Sequence, residues 1–130
     1  MLRNLLKIRY AVELRPDCVV LTCSGPYSRS EAFRVNDEAF DIAAKKNRRN
    51  ILIDARKVHG RVPTILDRYD IGVNLARAWL EQLPRVRIAL LGHEPLIHPD
   101  RFGEIVARNR GADTRVFTDE AEAMRWLLAA

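Results

Sequence analysis

Cysteine is scarce in this sequence: Cys18 and Cys23 are the only two in 130 residues. They sit five residues apart in one apolar run, so on a strand they point to opposite faces and cannot bridge each other. They do not form a C-x-x-C pair, which leaves two buried free thiols and a reducing compartment. Histidine is also thin, with His59, His93 and His98 only. His93 and His98 share the segment Leu91-Gly-His-Glu-Pro-Leu-Ile-His-Pro-Asp100. A zinc-binding H-E-x-x-H needs both imidazoles one helical turn apart, whereas these are five apart with Pro95 and Pro99 precluding the helix. Nothing fixes the approach of His59 to the other two, and no metal site is expected.

Several signatures of catalysis are missing. There is no G-x-G-x-x-G, no Walker loop and no G-x-S-x-G, and Ser24 before Gly25 has no identifiable base. A phosphoryl-accepting aspartate needs neighbouring acids to hold a divalent cation. Asp54 lacks them: the preceding strand ends in Cys23-Ser-Gly25. No catalytic residue and no cofactor is expected, and the chain reads as a non-enzyme. No apolar run reaches membrane-spanning length, and Met1-Leu-Arg-Asn-Leu-Leu-Lys7 lacks the apolar core of a signal peptide. A cytoplasmic protein is the expectation. The net charge of +5 comes without a Lys/Arg tail or an arginine-rich helix interleaved with aromatics, so a nucleic-acid partner is not favoured.

What is present is an ordinary globular composition, 48% hydrophobic and 30% charged, with a length that suits one domain over residues 1–130. Ile8, Tyr10, Val12 and Leu14 alternate with polar residues, which predicts a half-buried strand over 7–14. Arg15-Pro-Asp17 supplies a turn, and Cys18 to Cys23 supplies a more central strand, antiparallel to the first. Gly25-Pro-Tyr27 ends it. Ser28 stands three residues before Glu31, a capping-box spacing. The helix that follows has an apolar stripe of Phe33, Ala39, Phe40, Ile42 and Ala43, and closes on the bases of 45–50.

Ile51 to Ile53 reads as a third strand. Thr64, three before Asp67, caps the longest helix. The alternating three-and-four spacing of Leu66, Tyr69, Val73, Ala76, Leu80 and Leu83 predicts the buried seam of that helix, with Leu80 at its centre. Ile65, Gly72 and Trp79 widen the same face, and Pro84 stops the helix. Val86 to Leu91 is a fourth strand. Asp100 is placed to cap a short helix carrying Phe102, Ile105 and Val106, and Gly111 to terminate it. Arg115 to Phe117 is a fifth strand. Thr118 is placed to cap a last helix whose apolar face holds Ala121, Met124, Leu127 and Leu128. The order β-β-α-β-α-β-α-β-α demands right-handed crossovers. It predicts an α/β fold: a mixed sheet with one antiparallel edge strand and helices packed on it.

The element order, with Ile-Leu-Ile-Asp-Ala-Arg at 51–56, Asp-Arg-Tyr-Asp-Ile-Gly at 67–72, Arg-Ile-Ala-Leu-Leu-Gly at 87–92, Phe-Gly-Glu-Ile-Val-Ala-Arg-Asn-Arg-Gly at 102–111 and Val-Phe-Thr-Asp-Glu-Ala-Glu-Ala-Met-Arg-Trp-Leu at 116–127, resembles a STAS domain. More narrowly, it is similar to the SpoIIAA-like, STAS/CRAL-TRIO-type group of small bacterial proteins. The resemblance implies a STAS-like fold over nearly the whole chain and a regulatory, protein-binding role. In anti-sigma-factor antagonists the loop after the third strand carries Asp-Ser-Ser-Gly, and a serine there is phosphorylated. Here the loop reads Lys57-Val-His-Gly-Arg-Val-Pro-Thr64, without that motif. Thr64 falls near the switch position and reads as a helix cap.

The leading expectation is a non-enzymatic interaction module. Asp54, Arg56, Lys57, His59, Thr64 and Trp79 are its candidate ligand- or partner-binding residues, gathered at a strand end and on the long helix. The partner is a protein or a second copy; the helix width and the two tryptophans, Trp79 and Trp126, favour a homodimer. The alternative is a carrier or sensor of a small apolar or lipid-like ligand. The CRAL-TRIO side of the resemblance implies it, and the apolar face around Trp79 would line the pocket.

Overall fold

The computed structural model describes residues 5–129. Within them the elements run β1 (Arg9–Arg15), β2 (Cys18–Pro26), α1 (Arg29–Lys45), β3 (Asn50–His59), α2 (Ile65–Leu80), β4 (Arg87–Leu91), α3 (Phe102–Asn109), β5 (Thr114–Phe117) and α4 (Glu120–Leu128). The strands form one sheet in the order β1-β2-β3-β4-β5. β1 is antiparallel to β2, and every later pair is parallel. This is the α/β architecture the element order predicts.

The topology decides which helix goes where. Each parallel crossover steps to the next strand in the same direction, and right-handed crossovers that step one way stack their helices on one face. α1 and α2 accordingly cover the face built from Val19, Leu21, Cys23, Ile51, Ile53 and Ile88, with Phe40 and Ala39 of α1 fully buried against it. α3 packs on α2 through Ala76, Ala107 and Ala112. The opposite face, Cys18, Val20, Leu52, Ala89, Leu91 and Phe117, would be bare without α4, whose Ala123 and Leu127 seal it. The two cysteines do point to opposite faces, and both are free and buried.

Two strands outrun their apolar runs. β2 continues through Gly25 and Pro26, and β3 continues to His59, pairing Ser24 with Lys57, Gly25 with Val58 and Pro26 with His59 after a register shift between Thr22 and Ser24. The ladder is made by backbone groups, so polar residues extend it where a neighbouring strand is available. Gly25 has φ +124°, and a Cβ there would lie 2.7 Å from the Lys7 carbonyl oxygen. This brings the chain around Lys7 to the C-terminal end of β2.

The predicted seam of the long helix is wrong. Of its six residues only Ala76 is buried; Leu66 is 66% exposed, Leu80 49% and Leu83 82%. The inward line is Arg68, Ile71, Gly72, Leu75, Ala76 and Trp79, rotated by one residue, roughly 100° about the axis. The cause is crowding. α2 lies against both α1 and α3, and at Gly72 a Cβ would stand 2.8 Å from the Gly103 carbonyl oxygen and 2.9 Å from Val106 Cγ1. Small residues therefore face inward and several large apolar ones face out.

Three smaller expectations also change. α3 starts at Arg101 in the left-handed region, with no side-chain cap, and not at Asp100. α4 is capped by Asp119, which accepts the Glu122 N–H at 3.0 Å, and not by Thr118. Its buried face is Ala123 and Leu127, with Ala121 and Leu128 outside. The two caps expected at Ser28 and Thr64 are present.

Candidate functional site

β3 delivers Asp54 to the α4 side of the sheet, opposite Leu91 of β4. The buried carboxylate receives Arg56 in a fork: Nε to Oδ1 at 3.0 Å and Nη2 to Oδ2 at 2.8 Å, with the Arg56 backbone N–H on Oδ1 at 3.1 Å. Arg56 Nη2 also reaches Glu120 Oε1 at 2.9 Å. Burial pushes the Asp54 carboxyl up, but the bonds from Arg56 outweigh it and hold it below the ordinary aspartate value. The cluster ties the middle of β3 to the first turn of α4. Both Asp54 oxygens accept from Arg56, which suits a brace better than a nucleophile.

Neither thiol supports nucleophilic chemistry. Burial pushes Cys18 up to about 11, and burial with the nearby Asp54 charge pushes Cys23 up to about 12. Both stay protonated at neutral pH. Among the described residues no group of three or more His, Cys, Asp or Glu side chains could hold a metal ion.

Past the brace, Lys57, His59 and Arg61 are exposed. Thr64 closes the loop with a reciprocal capping box: its Oγ1 accepts the Asp67 N–H at 2.9 Å, and Asp67 Oδ2 accepts the Thr64 N–H at 3.3 Å. The Tyr27 hydroxyl donates to the same carboxylate oxygen at 3.2 Å. Around this capped start, Val62, Ile65, Leu66 and Tyr69 expose large apolar surface. Leu5 and Leu6 are also exposed. They precede Lys7, which lies beside Gly25 at the same end of the sheet.

Five of the candidate residues, Asp54, Arg56, Lys57, His59 and Thr64, thus sit on β3 and the loop leaving it. Trp79 does not join them. It stands fifteen residues along α2 from Thr64, about 22 Å by helical rise. Its Nε1–H donates to the Val86 carbonyl at 2.6 Å and the Arg85 guanidinium lies over its ring at 4.9 Å. Trp126 is engaged similarly, against Phe117 and beneath Arg87 and Arg115.

A cavity of about 160 Å³ lies between the sheet and the three-helix layer, walled by residues that include Ile53, Val58, Ile71, Leu75, Leu90 and Ile97. Trp79 is not among its walls. Arg68, which is 9% exposed, is. The sequence hid Arg68 because an arginine one position off an apolar seam reads as surface. Its one signal is the four-residue spacing to Gly72 and Ala76. The exposed Ile65 and Leu66 were hidden by the opposite assumption, that large apolar residues of a helix face inward.

This topology defines a class: a five-stranded mixed sheet with an antiparallel first hairpin, three helices on one face and the C-terminal helix on the other. It is the SpoIIAA-like, STAS-type fold. The structure is similar to that of an anti-sigma factor antagonist from Mycobacterium paratuberculosis, with a TM-score of 0.60 and 14% identity, covering 93% of this chain and 94% of that one. It is also similar to an uncharacterized protein of the DUF3478 family with a SpoIIAA-like fold from Shewanella loihica PV-4, with a TM-score of 0.51 and 16% identity, covering 93% of both chains. No protein-family model and no curated protein matches the sequence. At these identities the likeness is one of fold. No helix among the described residues is long and apolar enough to cross a membrane.

Proposed function

We propose that the protein is a non-enzymatic regulatory module that docks onto another protein through the start of α2 and the loop before it. One observation carries this reading: Val62, Ile65, Leu66 and Tyr69 are all exposed within eight residues. A cluster of large apolar side chains left in water beside a rigid cap is a docking feature. The exposed Lys57, His59 and Arg61 border the segment in sequence and give the contact a basic rim, which suits a partner whose apolar surface is edged by carboxylates. The pairing of β3 with β2 as far as His59 and the cap at Thr64 hold the loop at both ends. By likeness to the antagonist from Mycobacterium paratuberculosis, the partner class is an anti-sigma factor.

The test is isothermal titration of the purified protein against the anti-sigma factors of the same organism. Wild type should bind one of them, and Leu66→Glu should weaken that binding at least about tenfold, since a buried interface charge without a partner costs several kcal/mol. Its melting temperature should stay unchanged, because Leu66 is exposed. Equal binding by the variant would overturn the docking surface. No binding by wild type to any of them would overturn the partner class.

A further inference from the structure

We propose that the cavity between the sheet and the α1–α3 layer is a binding site for a small apolar carboxylic acid, with Arg68 as the group that recognises the carboxylate. The inference is independent of the docking surface. It makes the reading of the chain as a carrier or sensor of a small apolar ligand specific.

Two features of the cavity point to this ligand. The first is its shape and lining. At about 160 Å³ it matches the size of cavities, about 150 Å³, that take up a benzene ring. The helices around it are already in close contact, as the Gly72 approach to Gly103 and Val106 shows, so the space is not left by loose helix packing. It is left by short side chains, Ala55 on β3 and Ala32 on α1, where a larger residue would fill it.

The second feature is a buried cation that forms no direct ion pair among the described residues. Arg68 donates Nη1 to the Leu96 carbonyl at 2.7 Å and Nη2 to the Pro95 carbonyl at 2.8 Å. These two bonds use part of the five-donor fork and none of the charge. Among the described residues no carboxylate lies within 4.0 Å of it. Buried arginines are normally paired, since an isolated charge away from water is costly. The guanidinium stays charged and the neighbouring Asp67 carboxylate acts on it only through space, so an anion entering the cavity would give it a direct partner. Arg101, also without an ion pair among the described residues, lies on the same wall. The one acid of the lining, Glu104, accepts the Val116 N–H on Oε1 at 2.6 Å and forms no ion pair with Arg68 or Arg101, so two cations face one carboxylate across the lining. A carboxylate on Arg68 with its apolar body against Ile53, Val58 and Leu75 satisfies both features at once.

Benzoate and benzyl alcohol, nearly equal in shape and different in charge, separate the two parts of the claim. In a titration followed by amide chemical shifts, both should saturate resonances of the cavity walls. Benzoate should bind about tenfold or more tightly than the alcohol, as a charge-assisted hydrogen bond predicts. Arg68→Met should remove that preference while the alcohol still binds. Arg68 also holds the loop at Pro95 and Leu96, so a second variant guards against misfolding: Ala55→Leu fills the cavity and should abolish both titrations. Leu66→Glu should leave both unchanged, which keeps this result separate from the docking test. Saturable binding of neither compound at millimolar concentration would overturn the site. Equal affinity for the two would overturn the carboxylate, and benzoate binding retained in Ala55→Leu would overturn the location.

Discussion

At the scale of single residues, Thr64 has a definite local task. Its hydroxyl oxygen and the Asp67 carboxylate satisfy one another's backbone N–H groups. Thr64→Ala should lower stability by about 0.5–2 kcal/mol, measurable as a shifted urea midpoint with an unchanged slope. A phosphate on Thr64 would gain from the positive helix end but would face Asp67 across the same cap, so its effect is opposed by like charge. Glu31 gives a second residue-scale prediction. Its hydrogen bonds from Arg34 hold its carboxyl below the ordinary value of 4.5, assisted by the Ile8 N–H. A depressed folded pKa means the contribution is fully present above pH 4.5 and is lost as pH falls through the folded value. Asp54 acts in the same direction from its reference of 3.8. Glu31→Gln and Asp54→Asn should each be less stable at pH 7 and lose less on acidification than wild type, in denaturant midpoints taken between pH 7 and pH 2.

At the scale of elements, α2 reverses the ordinary meaning of residue size. Leu80 is half exposed and lies outside the core. Leu80→Ala should therefore change stability by no more than about 0.5 kcal/mol, not by the 2–5 kcal/mol of a core leucine. Gly72→Ala adds one carbon where Gly103 and Val106 already stand, and should cost about 1–3 kcal/mol despite a better helix propensity. Thermal melts of the two variants side by side test the rotation of the helix directly. If Leu80→Ala proved the more damaging, α2 would have to turn back by one residue.

At the scale of the whole molecule, the two ends of α2 carry different exposed surfaces. The start carries Leu66 and the basic loop. The far end carries Leu80 and Leu83, both exposed. The tryptophans that favoured a homodimer are engaged within the fold, Trp79 with Val86 and Arg85 and Trp126 with Phe117, Arg87 and Arg115. A homodimer would therefore have to rest on the leucines. We propose the Leu80 and Leu83 end as its contact, because two copies meeting through the other end would oppose the exposed Lys57 and Arg61 to themselves. Sedimentation velocity at high micromolar concentration should show a dimer that Leu83→Glu splits and Leu66→Glu does not. A wild-type monomer there would remove the homodimer.

The sequence by itself determined the element order, the antiparallel first hairpin, the parallel remainder, the opposed cysteines and the caps at Ser28 and Thr64. These depend on local chemistry: alternation on strands, turn residues between them, and a hydroxyl three residues ahead of an acid. Only the tertiary structure decided which face of α2 is buried, how far β2 and β3 extend, and that Asp54 braces Glu120 through Arg56 while Trp79 lies at the other end of its helix. Neighbours set each of these. α1 and α3 press on α2 and leave room inward for Gly72 and Ala76, and the ladder between β2 and β3 extends wherever both backbones remain side by side. The cavity and its unpaired arginine belong to the same category. A hole is defined by what surrounds it, and its walls come from segments as distant in sequence as Ile8 and Val116.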